Sequence, residues 1–195
     1  KGLKSRFEEH HSVKYALGAL QAAQQLGRGF ERLVMFSSLS KRSNLPGLRS
    51  GFVAGDADIL KAFLLYRTYH GCAMPVQTQL ASIAAWQDEQ HVRANRDAYR
   101  EKFSAVTKVL APVMDFPAPQ ASFYLWPAVP GGDDIAFTQR LFAEQHVSVL
   151  PGSLMGRTGE SGVNPGAGRL RLALVAELAP TLEAAQRIRR LVERG

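Results

Sequence analysis

The feature that most constrains the fold is an apolar run that leads directly into a polar, glycine-rich segment. Residues 33–36 read LVMF, and residues 38–52 read SLSKRSNLPGLRSGF. An apolar run without alternation is typical of a buried strand in a parallel sheet, and the proline and glycine that follow it predict a turn. Lys41 would then be held at the end of a rigid strand. A partly desolvated position disfavours the ammonium form, so we expect the neutral amine there, which attacks carbonyl carbons.

Side chains suited to binding a phosphate flank Lys41. Ser38 and Ser40 supply hydroxyl groups, and Arg49 supplies a planar guanidinium eight positions after the lysine. Such donors form strong hydrogen bonds with anionic oxygens, and a nearby guanidinium also disfavours a second positive charge. A surface loop that merely follows a strand would have the same composition. Both interpretations therefore stay open on these residues alone.

Composition narrows the class of protein. The chain has 195 residues, of which 46% are hydrophobic and 21% are charged, and this balance favours a folded globular chain. No apolar stretch approaches the roughly 20 residues that span a bilayer, so we expect no membrane partner. The single cysteine, Cys72, leaves no internal disulfide, fits a reducing cytoplasm and is predicted to be buried. The net charge of +7 favours anionic ligands, but no nucleic-acid-binding motif accompanies it.

Helix and strand patterns alternate along the chain and predict an α/β or α+β class. A helical stretch over residues 76–113 is too long for one globular helix, so we expect a break near residues 92–97. The other predicted helices cover residues 16–27, 57–69, 134–146 and 181–194, and the predicted strands cover residues 31–38, 47–55, 121–129, 147–153 and 169–175.

The strand predicted over residues 169–175 carries arginines on one face and leucines on the other. Leu170, Leu172 and Leu174 alternate with Arg169 and Arg171. Successive side chains of a strand point to opposite faces, so the two arginines share a face. A guanidinium on a rigid strand suits the planar binding of a carboxylate. We expect Arg169 to be a solvated charge at the rim.

The segment SLSKRSNLPGLRSGF resembles the lysine segment of fold-type-I, pyridoxal-phosphate-dependent aminotransferases of class I/II. Members show Ser-x-Ser-Lys, then an arginine eight residues later and a glycine soon after, which are here Ser38, Ser40, Lys41, Arg49 and Gly51. The resemblance continues through ASFYLWP, VSVLPGS and GRLRLALV to the C-terminus. The run FERLVMFSSLSKRSNLPGLRSGFVAGD is particularly similar to bacterial succinyldiaminopimelate aminotransferases of the lysine pathway. The resemblance implies the α/β fold of the pyridoxal-phosphate-dependent transferases.

The resemblance also implies a role for each of these side chains. Lys41 would be the catalytic residue that binds pyridoxal 5'-phosphate covalently and moves the proton during transamination. Ser38 and Arg49 would bind the cofactor phosphate, and Ser40, the second serine of the motif, would also contact the cofactor. Arg171, which immediately precedes the apolar part of its strand, would bind the substrate α-carboxylate. No metal is expected, because the adjacent residues EEHH at 8–11 do not converge on one ion.

The sequence departs from the family ahead of the lysine. A complete member has a large cofactor domain there, with an aspartate at the pyridine nitrogen, whereas no aspartate precedes Asp56 here. Tyr15 does not match the expected tyrosine in its surroundings. We therefore expect a fragment that does not catalyse efficiently by itself. Residues 1–97 would be the C-terminal part of the large domain, and residues 98–195 would be the small α+β C-terminal domain.

The resemblance implies that the whole enzyme exchanges an amino group between N-succinyl-LL-2,6-diaminopimelate and 2-oxoglutarate, as a cytoplasmic homodimer. One alternative is an aminotransferase for another substrate, such as N-acetylornithine or an aromatic amino acid. A second is a non-catalytic aminotransferase-like module that serves dimerisation or regulation. A third, a basic nucleic-acid-binding domain, has no motif to support it.

Overall fold

A computed structural model describes residues 18–119 and 121–195 of the chain. It divides into two compact units, Lys1–Arg96 and Asp97–Gly195, and this boundary lies one residue before the predicted one. The identification of the units with the large and small domains of the family stays a prediction. The expectations about Tyr15, about residues 8–11 and about the start of the first helix lie outside the described residues.

The first unit is built on a two-stranded antiparallel sheet. Strands β1 (Val34–Ser38) and β2 (Gly51–Gly55) pair so that Val34 lies opposite Gly55 and Ser38 lies opposite Gly51. Between them the chain reverses through a short helix, α2 (Leu39–Arg42), and a 3₁₀ turn. The helices of this unit, as far as the structure describes it, are α1 (Ala19–Gln25), α2 (Leu39–Arg42), α3 (Ala57–His70) and α4 (Val76–Gln87).

The prediction that β1 is a buried strand of the parallel type is wrong for the described residues. Its partner β2 is antiparallel, and Phe36 is 69% exposed. An apolar run indicates a strand that can be buried on both faces, but it does not indicate the direction of the neighbouring strand. That direction depends on how the connection between β1 and β2 folds back.

Local capping explains where two helices of this unit begin and end. The Asp56 carboxylate accepts hydrogen bonds from the backbone N–H groups of Asp58 and Ile59, at 2.9 and 3.1 Å, so it caps α3 at the predicted first residue of that helix. Helix α1 ends with Gly27 in the left-handed region at φ 64°. The N–H of Arg28 then reaches the carbonyl of Ala23 at 3.0 Å, as in a Schellman motif.

The long helical stretch breaks earlier than predicted. Helix α4 ends at Gln87 and helix α5 (Gln90–Leu110) begins three residues later, so the expected break near residues 92–97 is misplaced. The Asp88 carboxylate accepts a hydrogen bond from the N–H of Gln90 at 2.8 Å, and its other oxygen lies 2.6 Å from Nδ1 of His91. An aspartate that binds the backbone two residues on offers the chain an alternative to the helix.

The second unit contains a three-stranded antiparallel sheet, in which β5 (Leu170–Ala173) lies between β3 (Tyr124–Leu125) and β4 (Leu150–Pro151). Leu125 lies opposite Leu172, and Leu150 lies opposite Arg171, so β5 is the central strand. These strands are shorter than predicted. The elements are β3 (Tyr124–Leu125), helix α6 (Asp134–Gln145), β4 (Leu150–Pro151), β5 (Leu170–Ala173) and helix α7 (Leu178–Arg194).

The leucine face of β5 forms the centre of the core of the second unit. Leu170, Leu172 and Leu174 are 0%, 4% and 4% exposed. They belong to a buried cluster with apolar side chains of the helices, including Leu110, Leu141, Ile188 and Leu191. The predicted alternation of this strand is therefore confirmed.

A buried carboxylate at the start of α6 holds two loops beside β5. Asp134 is 4% exposed, and it accepts hydrogen bonds from the N–H groups of Ser153 at 2.8 Å and Gly168 at 3.2 Å. Burial by itself would raise the pKa of Asp134, but the hydrogen bonds outweigh it and lower the pKa below its usual value. The segments that contain Ser153 and Gly168 are therefore both hydrogen-bonded to the first turn of α6.

Among residues 18–119 and 121–195, every helix is too short or too polar to span a lipid bilayer.

Candidate active site

The β1–β2 hairpin carries four of the five predicted site residues at one of its ends. Ser38 is the last residue of β1, and Lys41 follows in α2. The N–H of Leu39 donates to the carbonyl of Ser50 at 3.1 Å, so the residue after Arg49 lies beside the residue after Ser38. Leu39 is fully buried and anchors this junction. The two ends of the loop between β1 and β2 are therefore hydrogen-bonded to each other where the strands meet the loop.

The backbone around Arg49 has an unusual and well-supported conformation. Arg49 lies in the left-handed region with φ 49°, and its Nη1 donates to the carbonyl of Pro46 at 2.9 Å. That bond uses one of the five N–H donors of the guanidinium. The next residue, Ser50, is buried, and its hydroxyl oxygen is hydrogen-bonded to that of Ser82 at 2.7 Å. Ser82 in turn donates to the carbonyl of Thr78 at 2.6 Å.

Gly51 allows the two strand ends to approach closely. A Cβ at this position would lie 2.6 Å from the carbonyl oxygen of Ser37 and 3.2 Å from Cβ of Ser38. A side chain at position 51 would therefore clash with β1, which explains sterically why the motif has a glycine there.

The predicted desolvation of Lys41 is wrong for the chain described here. Lys41 and Arg49 are exposed, whereas Ser38 and Ser40 are half-buried. The reason is that the hairpin carrying them is itself partly exposed, with Phe52 in β2 exposed to 42%. The hairpin end thus presents an amine, two hydroxyls and a guanidinium to its surroundings.

Arg171, the fifth predicted residue, lies in the second unit. It is half-buried on the central strand β5, and its guanidinium carbon lies 5.9 Å from the ring centre of Tyr124. Its Nε is buried and has no hydrogen-bond partner among the described residues. A buried N–H without a partner is costly, so a ligand that accepts from it would be favoured. A carboxylate has the right charge and geometry.

The expectation for the neighbouring Arg169 is corrected by its contacts. It was predicted to be a solvated rim charge, but it is half-buried and its Nη1 donates to the carbonyl of Trp126 at 3.1 Å. Ala128 forms a bridge with Arg169 in the same register as β3 and β5. Arg169 therefore helps to hold the two strands together.

Two further expectations concern metal binding and the cysteine. Within residues 18–119 and 121–195, no group of three or more His, Cys, Asp or Glu side chains could hold a metal ion. Cys72 is exposed in the connection between α3 and α4, so its predicted burial is wrong.

One side chain of this site was missed in the sequence, although it adjoins Lys41. Arg42 forms an ion pair with Glu89, which is 47 positions away. Only 17% of the Arg42 side chain is exposed. No local pattern signals a contact between residues so far apart. The motif predicts where Arg42 lies in the chain, but it does not predict the contact with Glu89.

Comparisons with known proteins identify the relatives of this chain. The family model for aminotransferases of class I and II matches residues 10–188. An LL-diaminopimelate aminotransferase of Syntrophobacter fumaroxidans is 32% identical over 161 residues, which are 81% of this chain and 40% of that protein. The chain thus spans well under two thirds of the length of this curated relative.

Solved structures agree with this relationship. An aminotransferase from Neisseria meningitidis is 56% identical with a TM-score of 0.88, and the match covers 93% of this chain and 46% of that one. A probable N-succinyldiaminopimelate aminotransferase from Thermus thermophilus is 29% identical with a TM-score of 0.71, and the match covers 95% of this chain and 53% of that one.

These findings confirm the predicted family and the predicted fold class. Proteins of this family use pyridoxal 5'-phosphate as their cofactor. The roles predicted for Ser38, Ser40, Lys41, Arg49 and Arg171 stay predictions. The chain belongs to the aminotransferase class I and II family.

Proposed function

We propose that this chain carries the catalytic lysine of an aminotransferase that exchanges an amino group between N-succinyl-LL-2,6-diaminopimelate and 2-oxoglutarate. The observation that supports the proposal is the pairing of Ser38 with Gly51 at the hairpin end, because the short connection between them carries both Lys41 and Arg49. The relatives from Syntrophobacter fumaroxidans and Thermus thermophilus are both named for diaminopimelate substrates, which supports this choice of substrate. We propose that the enzyme is a cytoplasmic homodimer.

The donor set at the hairpin end fits the chemistry of the cofactor. Pyridoxal 5'-phosphate, when bound, supplies an aldehyde for a lysine amine and a ring that withdraws electrons from the substrate. Lys41 would hold the aldehyde and would accept and return a proton at its Nζ. The hydroxyls of Ser38 and Ser40 and the guanidinium of Arg49 would hold the phosphate, since all of them donate hydrogen bonds to anionic oxygen.

Arg171 would bind the substrate carboxylate. Its buried Nε lacks a partner among the described residues, and a carboxylate would provide one. A guanidinium presents parallel N–H groups that match two carboxylate oxygens, so it fixes the orientation of the substrate as well as its charge.

The test of Lys41 uses the full-length protein and its cofactor. The protein is loaded with pyridoxal 5'-phosphate, reduced with borohydride, digested and mapped by mass spectrometry. We expect the reduced cofactor on Lys41, and we expect Lys41→Ala to lose both the label and transamination. Lys61→Ala, which removes an exposed lysine from α3 of the same unit, is the matched control and should keep both. Labelling and activity that survive in Lys41→Ala would refute the assignment.

The substrate is tested separately by comparing the rates with different amino donors. A preference for N-succinyl-LL-diaminopimelate over free LL-diaminopimelate, N-acetylornithine and aromatic amino acids is expected. The names of several relatives favour free LL-diaminopimelate as the second candidate. A higher kcat/KM for the free compound would establish that candidate instead. The absence of turnover with every donor would favour the non-catalytic module.

A further inference from the structure

We propose that Arg42 is a positioning residue, which holds the Lys41-bearing helix α2 against the C-terminal end of α4. This inference rests on the proposed function of Lys41. Arg42 itself would not touch the cofactor or the substrate. Its effect would be transmitted through the backbone that it shares with the neighbouring lysine.

Helix α2 needs tertiary contacts to keep its shape. It has four residues, Leu39–Arg42, and its N-cap Ser38 makes no side-chain capping bond. One helical turn is unstable in isolation, because the cost of fixing its backbone is not met by its few hydrogen bonds. The orientation of Lys41 therefore depends on what the two ends of the turn contact. At the first end, Leu39 is fully buried.

At the second end, Arg42 is fastened to the last turn of α4. Its Nη1 donates to the carbonyl of Ala85 at 2.9 Å, and its Nη2 approaches the carbonyl of Trp86 at 3.5 Å. The last carbonyls of a helix have no partner within the helix and attract a cation. The same guanidinium pairs with Glu89, just beyond α4. Arg42 thus closes the end of α4 while it fixes the end of α2.

The indole of Trp86 extends this connection to strand β2. The guanidinium carbon of Arg42 lies 4.8 Å from the centre of the Trp86 ring. Trp86 also packs edge-on against Phe52, with the two ring centres 5.0 Å apart. Phe52 lies three positions after Arg49. Arg42 therefore supports both the lysine turn and the strand that follows the proposed phosphate-binding arginine.

The planar shape of the guanidinium matters for these contacts. It donates to two carbonyls, pairs with a carboxylate and lies near an indole ring, whereas an ammonium is a compact point charge that reproduces only part of this set. The charge of Arg42 is also compensated by Glu89. These contacts point to a role in placing Lys41 and not to a direct electrostatic effect on its amine.

The experiment compares Arg42→Ala and Arg42→Lys with the wild-type full-length protein. Arg140→Ala is the matched control, because it also removes an arginine that forms an ion pair, here with Glu144 on the exposed face of α6. Three quantities are measured: kcat and KM for transamination, thermal unfolding, and the rate at which acetic anhydride modifies Lys41 relative to Lys61 in the cofactor-free protein.

We expect Arg42→Ala to lower kcat by about 10- to 100-fold, with a smaller change in KM, because a small misplacement of a reacting group has an effect of this order. The ratio of Lys41 to Lys61 modification should rise, since a looser turn exposes the amine in more orientations. Arg42→Lys should restore part of kcat and part of the ratio. Arg140→Ala should leave both unchanged.

Two results would overturn the inference. The first is an Arg42→Ala protein that unfolds at a lower temperature but keeps the wild-type kcat and modification ratio, because Arg42 would then only stabilise α4. If that variant fails to fold, an Arg42→Lys protein with wild-type kcat and ratio has the same meaning. Either result, with Lys41→Ala still inactive and unlabelled, leaves the proposed function intact. An active Lys41→Ala protein would refute the proposed function instead.

Discussion

Individual polar side chains differ in how many contacts the described residues provide for them. Lys41 is exposed, and its neighbour Arg42 donates a hydrogen bond to the carbonyl of Ala85. Arg171 is half-buried with a buried Nε that lacks a partner among the described residues. Asp134, in contrast, is both buried and hydrogen-bonded to two backbone N–H groups. The contacts described for Asp134 are therefore enough to predict how its charge affects the stability of the fold.

The lowered pKa of Asp134 predicts a pH-dependent contribution to stability. Because the pKa is lower in the folded chain than in the unfolded one, the stabilisation is fully present above the unfolded value of about 3.9. It is lost as the pH falls through the folded value. Asp134→Asn should therefore unfold more easily at neutral pH, by about 1–3 kcal/mol, because the charged acceptor of two buried N–H groups is gone.

The measurement is urea unfolding of wild type and Asp134→Asn at a series of pH values. The difference between the two proteins should shrink as the pH falls below about 3.9. Asp133→Asn is the control, since Asp133 is an exposed cap of the same helix. A difference that stays constant down to the most acidic pH at which both proteins fold would contradict the prediction.

At the scale of elements, local signals located helix ends better than strand ends. The cap at Asp56 marked the start of α3, because a side chain that bonds the next N–H groups acts within a few residues. The strand predicted over residues 121–129 is reduced to Tyr124–Leu125 with a separate bridge at Ala128. Strand length depends on pairing with β5, which is distant in sequence. Close packing of backbone segments has the same non-local origin.

The contact between residues 152 and 166 predicts a strong effect of one methyl group. A Cβ on Gly152 would clash with the carbonyl oxygen of Gly166 and would lie 3.0 Å from the Trp126 ring. Gly152→Ala should therefore lower stability by about 1–3 kcal/mol, because the backbone must move to accept the methyl group. Thermal unfolding measures the change. Gly159→Ala, at a site with open space, should change it little, and equal effects at the two sites would show that the clash is absent.

At the scale of the whole molecule, the buried core is distributed unevenly. In the described part of the first unit, the buried hydrophobic residues are Leu39 and Val92, whereas the core cluster of the second unit extends from Val106 to Leu191. Helix α3 has no buried residue. Several large side chains of the first unit are exposed: Leu64, Leu65, Tyr69, Val76 and Leu80. We propose that they pack against the remainder of a longer enzyme, since the chain covers 46% of its Neisseria relative.

This distribution predicts a difference in hydrogen exchange within the 195-residue chain. Amides of β5 and α7 should exchange slowly, because their side chains form the core, and amides of α3 should exchange fast. The exchange is followed by mass spectrometry of peptides from each element. In the full-length protein, α3 should become protected. Protection of α3 in the 195-residue chain equal to that of α7 would refute the proposed dependence on further polypeptide.

The family, the serine–lysine–arginine motif that identifies it and the two faces of β5 can all be read from the amino-acid sequence. These features depend on residue types and on their spacing along the chain, which can be read without knowing the fold. The folded chain is needed to see that β1 pairs antiparallel with β2, that Arg42 contacts Ala85, and that Asp134 is hydrogen-bonded to Ser153 and Gly168. Such contacts join segments far apart in sequence, so they arise from packing and have no local signal.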